Sequence, residues 1–272
     1  MNNPLEPKDA AMVASMGCEP LGSAREPQRS IQVFTLGRFS LVKNGSPLAF
    51  TGKSPRKPLE LLQALIALGG RDVHISMLMG AVWPDEGSSN QRKLFDNTLH
   101  RLRKILGDGD ALALGNAKLT LDARYCWVDA WAFDLLAGEL LRSSATVNSR
   151  ACEILRLYRG HFLDRELAAP WLIGYRNRLQ IRFERLVLTQ GAILETAGEW
   201  FKAAEMYRCA LEVDNMVEHF YRRLMACHLQ VGEHAETLRV YRRCRDTLSI
   251  VLGVKPSAET EALRRRVDAS DS

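Results

Sequence analysis

Nothing in this 272-residue chain approaches the run of about 20 apolar residues that a bilayer-spanning helix requires. The N-terminal MNNPLEPKDA carries acids and prolines where a secretory signal would place basic residues and an apolar stretch. Cysteine is sparse. Cys18, Cys126, Cys152, Cys209, Cys227 and Cys244 include no CxxC pair, so they are expected to be reduced thiols of a cytoplasmic protein. His219, Cys227, His228 and His234 crowd together without zinc-ligand spacing and read as helix-surface or packed side chains. HExxH, GxSxG and a Ser-His-Asp order are all missing. The expectation is a protein that is not an enzyme and needs no metal or cofactor.

A large charge imbalance is missing as well, since 37 Lys and Arg against 32 Asp and Glu leave only +5. The excess is nevertheless concentrated. Residues 31–127 hold 13 basic and 8 acidic side chains, while 1–30 and 128–272 are each within one charge of neutral. A local field of this kind suits a polyanionic partner. Hydrophobic residues make up 46% of the chain, enough for one large or two modest domains, each burying its own core.

Residues 1–30 have four prolines, scattered charge and no periodicity, the pattern of a disordered leader. IQVFTLG and FSLVKNG then alternate apolar and polar residues around Gly37 and Asn44-Gly45, which predicts short antiparallel strands. Three helices are expected next. The first runs from about Pro58 to Leu68 and stops at Gly69-Gly70; the second spans Ile75–Trp83 and is ended by Pro84. The third covers Ser88–Leu106, with Ser88 or Ser89 as cap and Gly107 as terminator. ALALGNAKLTLD follows as a hairpin around Gly115-Asn116. Strands, three helices and a hairpin are the order of a winged helix-turn-helix, here over 31–128.

From Asp129 the pattern is helical to the end. Gly198-Glu199 and Gly232-Glu233 lie 34 residues apart, and the same offset relates Tyr207 to Tyr241 and Arg208 to Arg242. That period predicts a tetratricopeptide-like array over 129–272, with Leu252-Gly253 and Pro256 closing the second unit and 257–266 forming a last capping helix. The fold class is therefore mostly α with a small β part: a winged helix followed by an all-α array.

The third helix carries the chemistry. At 100° per residue Phe95, Leu99, Leu102 and Leu106 fall within about 60° of one another, a narrow stripe for the core. Lys93, Asn97, His100, Arg101 and Lys104 lie on the opposite face. A major groove admits one helix and is read by Asn and Arg through paired hydrogen bonds to base edges, while cations neutralise phosphates. Asn97 is the candidate base reader and Arg101 a base or phosphate contact. Arg92 and Asp96, four apart, are expected to pair with each other. A basic outer face alone also fits a plain solvated helix; the hairpin and the localised charge favour DNA.

PLAFTGKS at 47–54 ends like a phosphate-binding loop, but Pro47 replaces the first glycine, and Pro55 and Pro58 interrupt the helix that should follow. An ATPase reading fails there.

Several motifs resemble one family. VFTLGRFSL, RKPLELLQALIALGGRDV, VWPDE, LHRLRKILG and WVDAWAF are similar to the OmpR-type winged-helix half of Streptomyces antibiotic regulatory protein (SARP) type activators. LYRGHFL, the Trp171–Arg178 segment, YRRLMACHLQVGEHAETLRVYRRCRDTL and LGVKPSAET resemble the bacterial transcriptional activator domain that follows it. The resemblance covers about 31–266. It implies a transcriptional activator that binds direct repeats near a promoter, often as two protomers side by side, and contacts RNA polymerase. It also implies readers at Lys93, Asn97, Thr98 and Arg101, and a wing residue at Lys118. The loop in LGNAKLTLD offers one lysine and no arginine, so Asn116 and Lys118 are expected to touch the backbone only.

The family also occurs as part of much larger signalling ATPases, so the expectation covers a stand-alone regulator or a fragment. With no receiver domain ahead of the winged helix, control by Asp phosphorylation is not expected within this chain; a small-molecule effector is left open, and the helical array is a protomer interface, a polymerase contact surface or a ligand groove. Arginines at 222–223, 242–245 and 264–266 read as solvated helix surface by default, with an anionic ligand or an extra DNA contact as the sharper alternative. A second function class stays open: an interaction adaptor whose helical array binds peptide in a groove lined by Tyr207, Tyr221 and Tyr241.

Overall fold

The computed structural model describes residues 29–50, 55–107, 109–142, 149–164 and 169–270. The expected leader falls almost wholly outside them, as does the Gly52-Lys53-Ser54 end of the rejected phosphate loop. The chain forms two compact units. One comprises Ser23–Ala132 with His161–Gln180, the other Phe133–Gly160 with Ile181–Ser272.

The first unit opens with β1 (Ile31–Phe34), β2 (Ser40–Lys43) and β3 (Ser46–Pro47), paired antiparallel, and β7 (Cys126–Val128) adds to β1 in parallel, giving the order β3-β2-β1-β7. Ile31 and Val33 are buried while Gln32 and Phe34 are half-exposed, the two-residue alternation of a strand with one face in the core. Between β3 and β7 come α1 (Arg56–Ala67), β4 (Val73–His74), α2 (Ile75–Val82), α3 (Ser88–Leu106), a short 3-10 turn (Gly109–Ala111), β5 (Leu112–Gly115) and β6 (Lys118–Leu121). A second sheet has the order β4-β6-β5. Neither β4 nor the parallel β7 is foreshadowed by alternation, because two or three residues are too few to show a period.

Several boundaries move. The first helix starts at Arg56 after Pro55, so Pro58 sits inside its first turn. The third starts at Ser88 with Gly87 at the cap position and makes no side-chain cap bond, which displaces the expected Ser88 or Ser89 cap. The hairpin turn is centred on Asn116-Ala117, both at positive φ (49° and 56°), because Gly115 pairs with Lys118. Two residues at positive φ match the right-handed strand twist.

After β7 the chain enters α4 (Asp129–Arg142). Asp129 is 3% exposed, and its carboxylate accepts from Thr35 N at 2.8 and 2.9 Å, Thr35 Oγ1 at 2.6 Å, Leu36 N at 3.0 Å and Ala130 N at 2.7 Å. Burial pushes this carboxyl above its ordinary value, against the hydrogen bonds from Thr35, Leu36 and Ala130 that favour the ionised form. Residues 158–164 are not helical and include a β-bridge, which the all-α pattern expected after 129 does not foreshadow. There Phe162 bridges Leu36, Gly37 N donates to His161 O at 3.0 Å and Leu163 N to Thr35 O at 2.8 Å. Gly70, at φ +72°, ends the α1 turn by donating to Leu65 O at 2.8 Å, and a Cβ there would stand 2.0 Å from the Trp131 ring.

The second unit contains α5 (Ser149–Leu157), α7 (Trp200–Val213), α8 (Glu218–Gln230), α9 (His234–Leu252) and α10 (Ala258–Ser270), while α4 and α6 (Pro170–Thr196) run across the division. The 34-residue repeat is a repeat of helix ends. Glu199 N donates to Leu194 O and Glu233 N to His228 O, both closing over a left-handed glycine, Gly198 at +75° and Gly232 at +77°. Aromatic rings fill the core: Tyr158 lies 5.0 Å from Phe133 and 4.4 Å from Phe183, which meets Phe220 at 6.1 Å.

The tyrosines do not line an open groove. Tyr207 and Tyr221 are fully buried and Tyr241 is 9% exposed. Tyr207 donates to Glu195 Oε1 at 2.7 Å and Tyr241 to Glu261 Oε1 at 2.5 Å. Arg223 departs from the solvated surface expected of it, since its Nε donates at 3.0 Å to Glu195, whose side chain is 9% exposed. Glu218 ties α8 to the start of α10 by accepting from Ser257 N at 2.7 Å and Thr260 Oγ1 at 2.6 Å. Burial pushes its carboxyl up, but Thr260, Ser257 and Arg222 outweigh that and hold it below its ordinary value.

Three stability outcomes follow from these contacts. Asp129→Asn puts an amide NH2 against donors and should cost about 2–4 kcal/mol in a denaturant melt. Gly70→Ala adds the ring clash to the backbone strain and should cost about 3 kcal/mol or more, whereas Gly69→Ala, with open space at its Cβ, should cost about 1–2 kcal/mol. Glu218, with its folded value lowered, stabilises above the unfolded carboxylate range and loses that contribution as pH falls through the folded value. Glu218→Gln should therefore be less stable than wild type at pH 7, with the difference closing as pH falls through and below the ordinary carboxylate range in parallel melts.

Candidate nucleic-acid interface

The α3 helix is built to present one face. Phe95, Leu99, Leu102 and Leu106 are at most 3% exposed and fill the core beside α1 and α2. The helix stops at Gly107, φ +67°, whose amide donates to Arg103 O at 2.9 Å. Both ends are fastened by side chains: Gln91 Nε2 donates to Trp83 O at 2.7 Å, and Arg103 Nη2 donates to Leu112 O at 2.9 Å. Lys57 Nζ donates to Val82 O at 2.7 Å, placing a cation on the last carbonyls of α2.

On the outward face Lys93, Asn97, His100, Arg101 and Lys104 are all exposed. None of the five makes a hydrogen bond or ion pair among the described residues. The acid on the margin is neutralised locally, because Arg92 Nε lies 3.0 Å from Asp96 Oδ2, the pair expected from their spacing. What remains is three cations and an amide with donors and acceptors facing solvent. Thr98 does not share this face. Its side chain is only 7% exposed because the position falls beside Leu99 and Leu102 on the core edge, which removes it from the surface a ligand can reach.

The hairpin residues Asn116 and Lys118 are exposed as well. Their turn is fastened to the start of α2, where Ile75 N donates to Ala117 O at 2.9 Å, and Lys118 stands opposite His74 in the β4–β6 register. His74 caps α2, its Nδ1 accepting from Ser76 N at 3.3 Å and meeting Ser76 Oγ at 2.7 Å. This exposed histidine next to the wing lysine escaped the sequence reading. The two-residue β4 carried no signal that would have placed it there.

With the geometry in place, the chain can be set beside other proteins. It is 25% identical over 232 residues, 84% of its length, to the regulatory protein AfsR of Streptomyces griseus, and it spans 23% of that protein. A solved structure of EmbR from Mycobacterium tuberculosis, in complex with a low-affinity phosphopeptide, superposes with a TM-score of 0.64 at 20% identity, over 89% of this chain and 66% of that one; the two share a fold. No helix among the described residues is long and apolar enough to cross a membrane. Residues 128–268 match the bacterial transcriptional activator domain, and with them the chain belongs to that family.

Proposed function

We propose that the chain is a sequence-specific DNA-binding activator whose first unit acts as an OmpR-type winged helix. The observation that carries this reading is the α3 face, on which Lys93, Asn97, His100, Arg101 and Lys104 stand exposed and unpaired opposite a fully buried stripe. Inserted in a major groove, Asn97 pairs its amide with a base edge and Arg101 follows it one turn on. Lys93 and Lys104 flank them and neutralise phosphates; His100 sits between as a hydrogen-bonding neighbour. Asn116 and Lys118 of the wing add backbone contacts. Because the loop offers one lysine and no arginine, it positions the protein without reading sequence.

Activation then requires a second partner. Membership of the family supports contact with RNA polymerase, and binding to direct repeats by two protomers side by side. The adaptor reading loses its groove with the burial of Tyr207, Tyr221 and Tyr241, so DNA recognition is the function the geometry favours.

Selection from fragmented genomic DNA at physiological salt should enrich a direct-repeat site with wild type and lose it with Asn97→Ala/Arg101→Ala. On the enriched site Asn97→Ala should cost about 1–3 kcal/mol and relax preference at one base position. Lys118→Ala should weaken binding to all sequences alike and lower the log–log salt slope by about 0.9. Enrichment of the same fragments by wild type and double mutant would remove α3 as the reader.

A further inference from the structure

The β4–β6 pair has one face in the core and one in solvent. Val73 and Leu119 stand opposite each other and are buried, 5% and 0% exposed. The next pair, His74 and Lys118, points the other way, and both side chains are exposed. Residues directly opposite in an antiparallel pair hold their Cβ atoms about 4.5–5.5 Å apart, so the imidazole and the ammonium share one patch. No ion pair to either forms among the described residues. Asp72, two residues before His74, is engaged by Arg71 at 3.8 Å.

The ring of His74 is oriented from within the chain. Ser76 N can only donate, so Nδ1 is its acceptor, and Ser76 Oγ lies 2.7 Å from the same atom. An accepting Nδ1 puts the proton on Nε2, and that N–H makes no hydrogen bond among the described residues. Capping a helix takes one acceptor, which serine, threonine, aspartate or asparagine supplies with a smaller side chain. The outward Nε2–H is surplus to the cap. Beside it stands an unpaired ammonium, and the two together offer a donor and a charge to one oxyanion.

The patch also lies in the right place for a nucleic-acid backbone. The wing turn is bonded to the start of α2 through Ile75 N and Ala117 O at 2.9 Å, and α2 packs against α3. With α3 in a major groove and Lys118 on the backbone, the phosphate strand bordering that groove passes the β4–β6 face. We propose that His74 and Lys118 together hold one phosphate of that strand, Lys118 supplying the charge and His74 a neutral hydrogen bond oriented in advance. The inference rests on the DNA-binding reading above and adds to it a contact that positions the protein without reading a base.

Anisotropy titrations of the full chain test it on two duplexes of equal length, the site enriched by genomic selection and a scrambled sequence. His74→Asn keeps a capping acceptor, so it should melt at the wild-type temperature or above. It should bind both duplexes about threefold to tenfold more weakly, for the loss of one hydrogen bond to a charged group. Its log–log salt slope should equal that of wild type, because a neutral donor releases no counterion, whereas Lys118→Ala should lower the slope by about 0.9. The double variant should lose less than the product of the two single losses, since both side chains serve the same phosphate. Wild-type affinity of folded His74→Asn for both duplexes, a loss confined to the enriched site, or fully multiplicative losses in the double variant would each overturn the shared phosphate. Failure of wild type to bind either duplex would overturn the DNA-binding reading itself, so the two failures are told apart by which protein shows them.

Discussion

The β-containing unit depends on one carboxylate. Asp129 gathers the two amides that follow β1, the Thr35 hydroxyl and the Ala130 amide at the start of α4 onto its two oxygens, buried at 3% exposure. Without it those amides would be buried donors at the end of a parallel pair, where the ladder itself has stopped. The contact fixes where β7 hands over to α4. It also leaves the carbonyl of Thr35 free to accept from Leu163, so a segment more than a hundred residues downstream is tied to the same corner. Arg176 completes the tie by donating to the carbonyls of Phe162 and Leu163 at 2.8 and 2.6 Å, and Leu163 holds a left-handed backbone, φ +49°, under those bonds.

The α3 helix is held by contacts of its own and is not a free helix with a basic side. Its apolar stripe is clamped between α1 and α2, its first turn is locked through Gln91 and its last through Arg103. The outward side chains are therefore presented on a fixed frame, and their unpaired charge is available to a polyanion at little reorganisation cost. Where an acid was present, on the margin at Asp96, it is occupied by Arg92.

The helical unit follows a different logic. Repeating Gly-Glu ends set its register, and Tyr207 and Tyr241 occupy equivalent places. Their partners differ: Glu195 is buried and shared with Arg223, while Glu261 is partly exposed and shared with Arg264. Repetition thus fixes the stacking of helices, and departures from it create local chemistry. Outside the repeat, Arg156 on α5 holds its Nε and Nη2 buried with no hydrogen-bond partner, beside apolar residues of α6 and α7.

Local patterns in the sequence determined most of the elements and the recognition face. Apolar spacing at three and four residues placed the α3 stripe, and the same arithmetic put Lys93, Asn97, His100, Arg101 and Lys104 opposite it. Glycine at Gly107, Gly198, Gly232 and Gly253 marked helix ends because the backbone turns left-handed there, which glycine does without a Cβ penalty. Thr98, assigned as a reader by the family motif, is only 7% exposed, since its angle on the helix sets it at the core edge. The β4 and β7 pairings, the recruitment of residues 161–164, the Asp129 node, the burial of the three tyrosines and the orphaned donors of Arg156 were decided by tertiary structure. Each joins residues far apart in the chain or depends on what fills the space around one side chain. A one-dimensional pattern records period and spacing; desolvation and the pairing of a buried polar group exist only once the surrounding elements are packed.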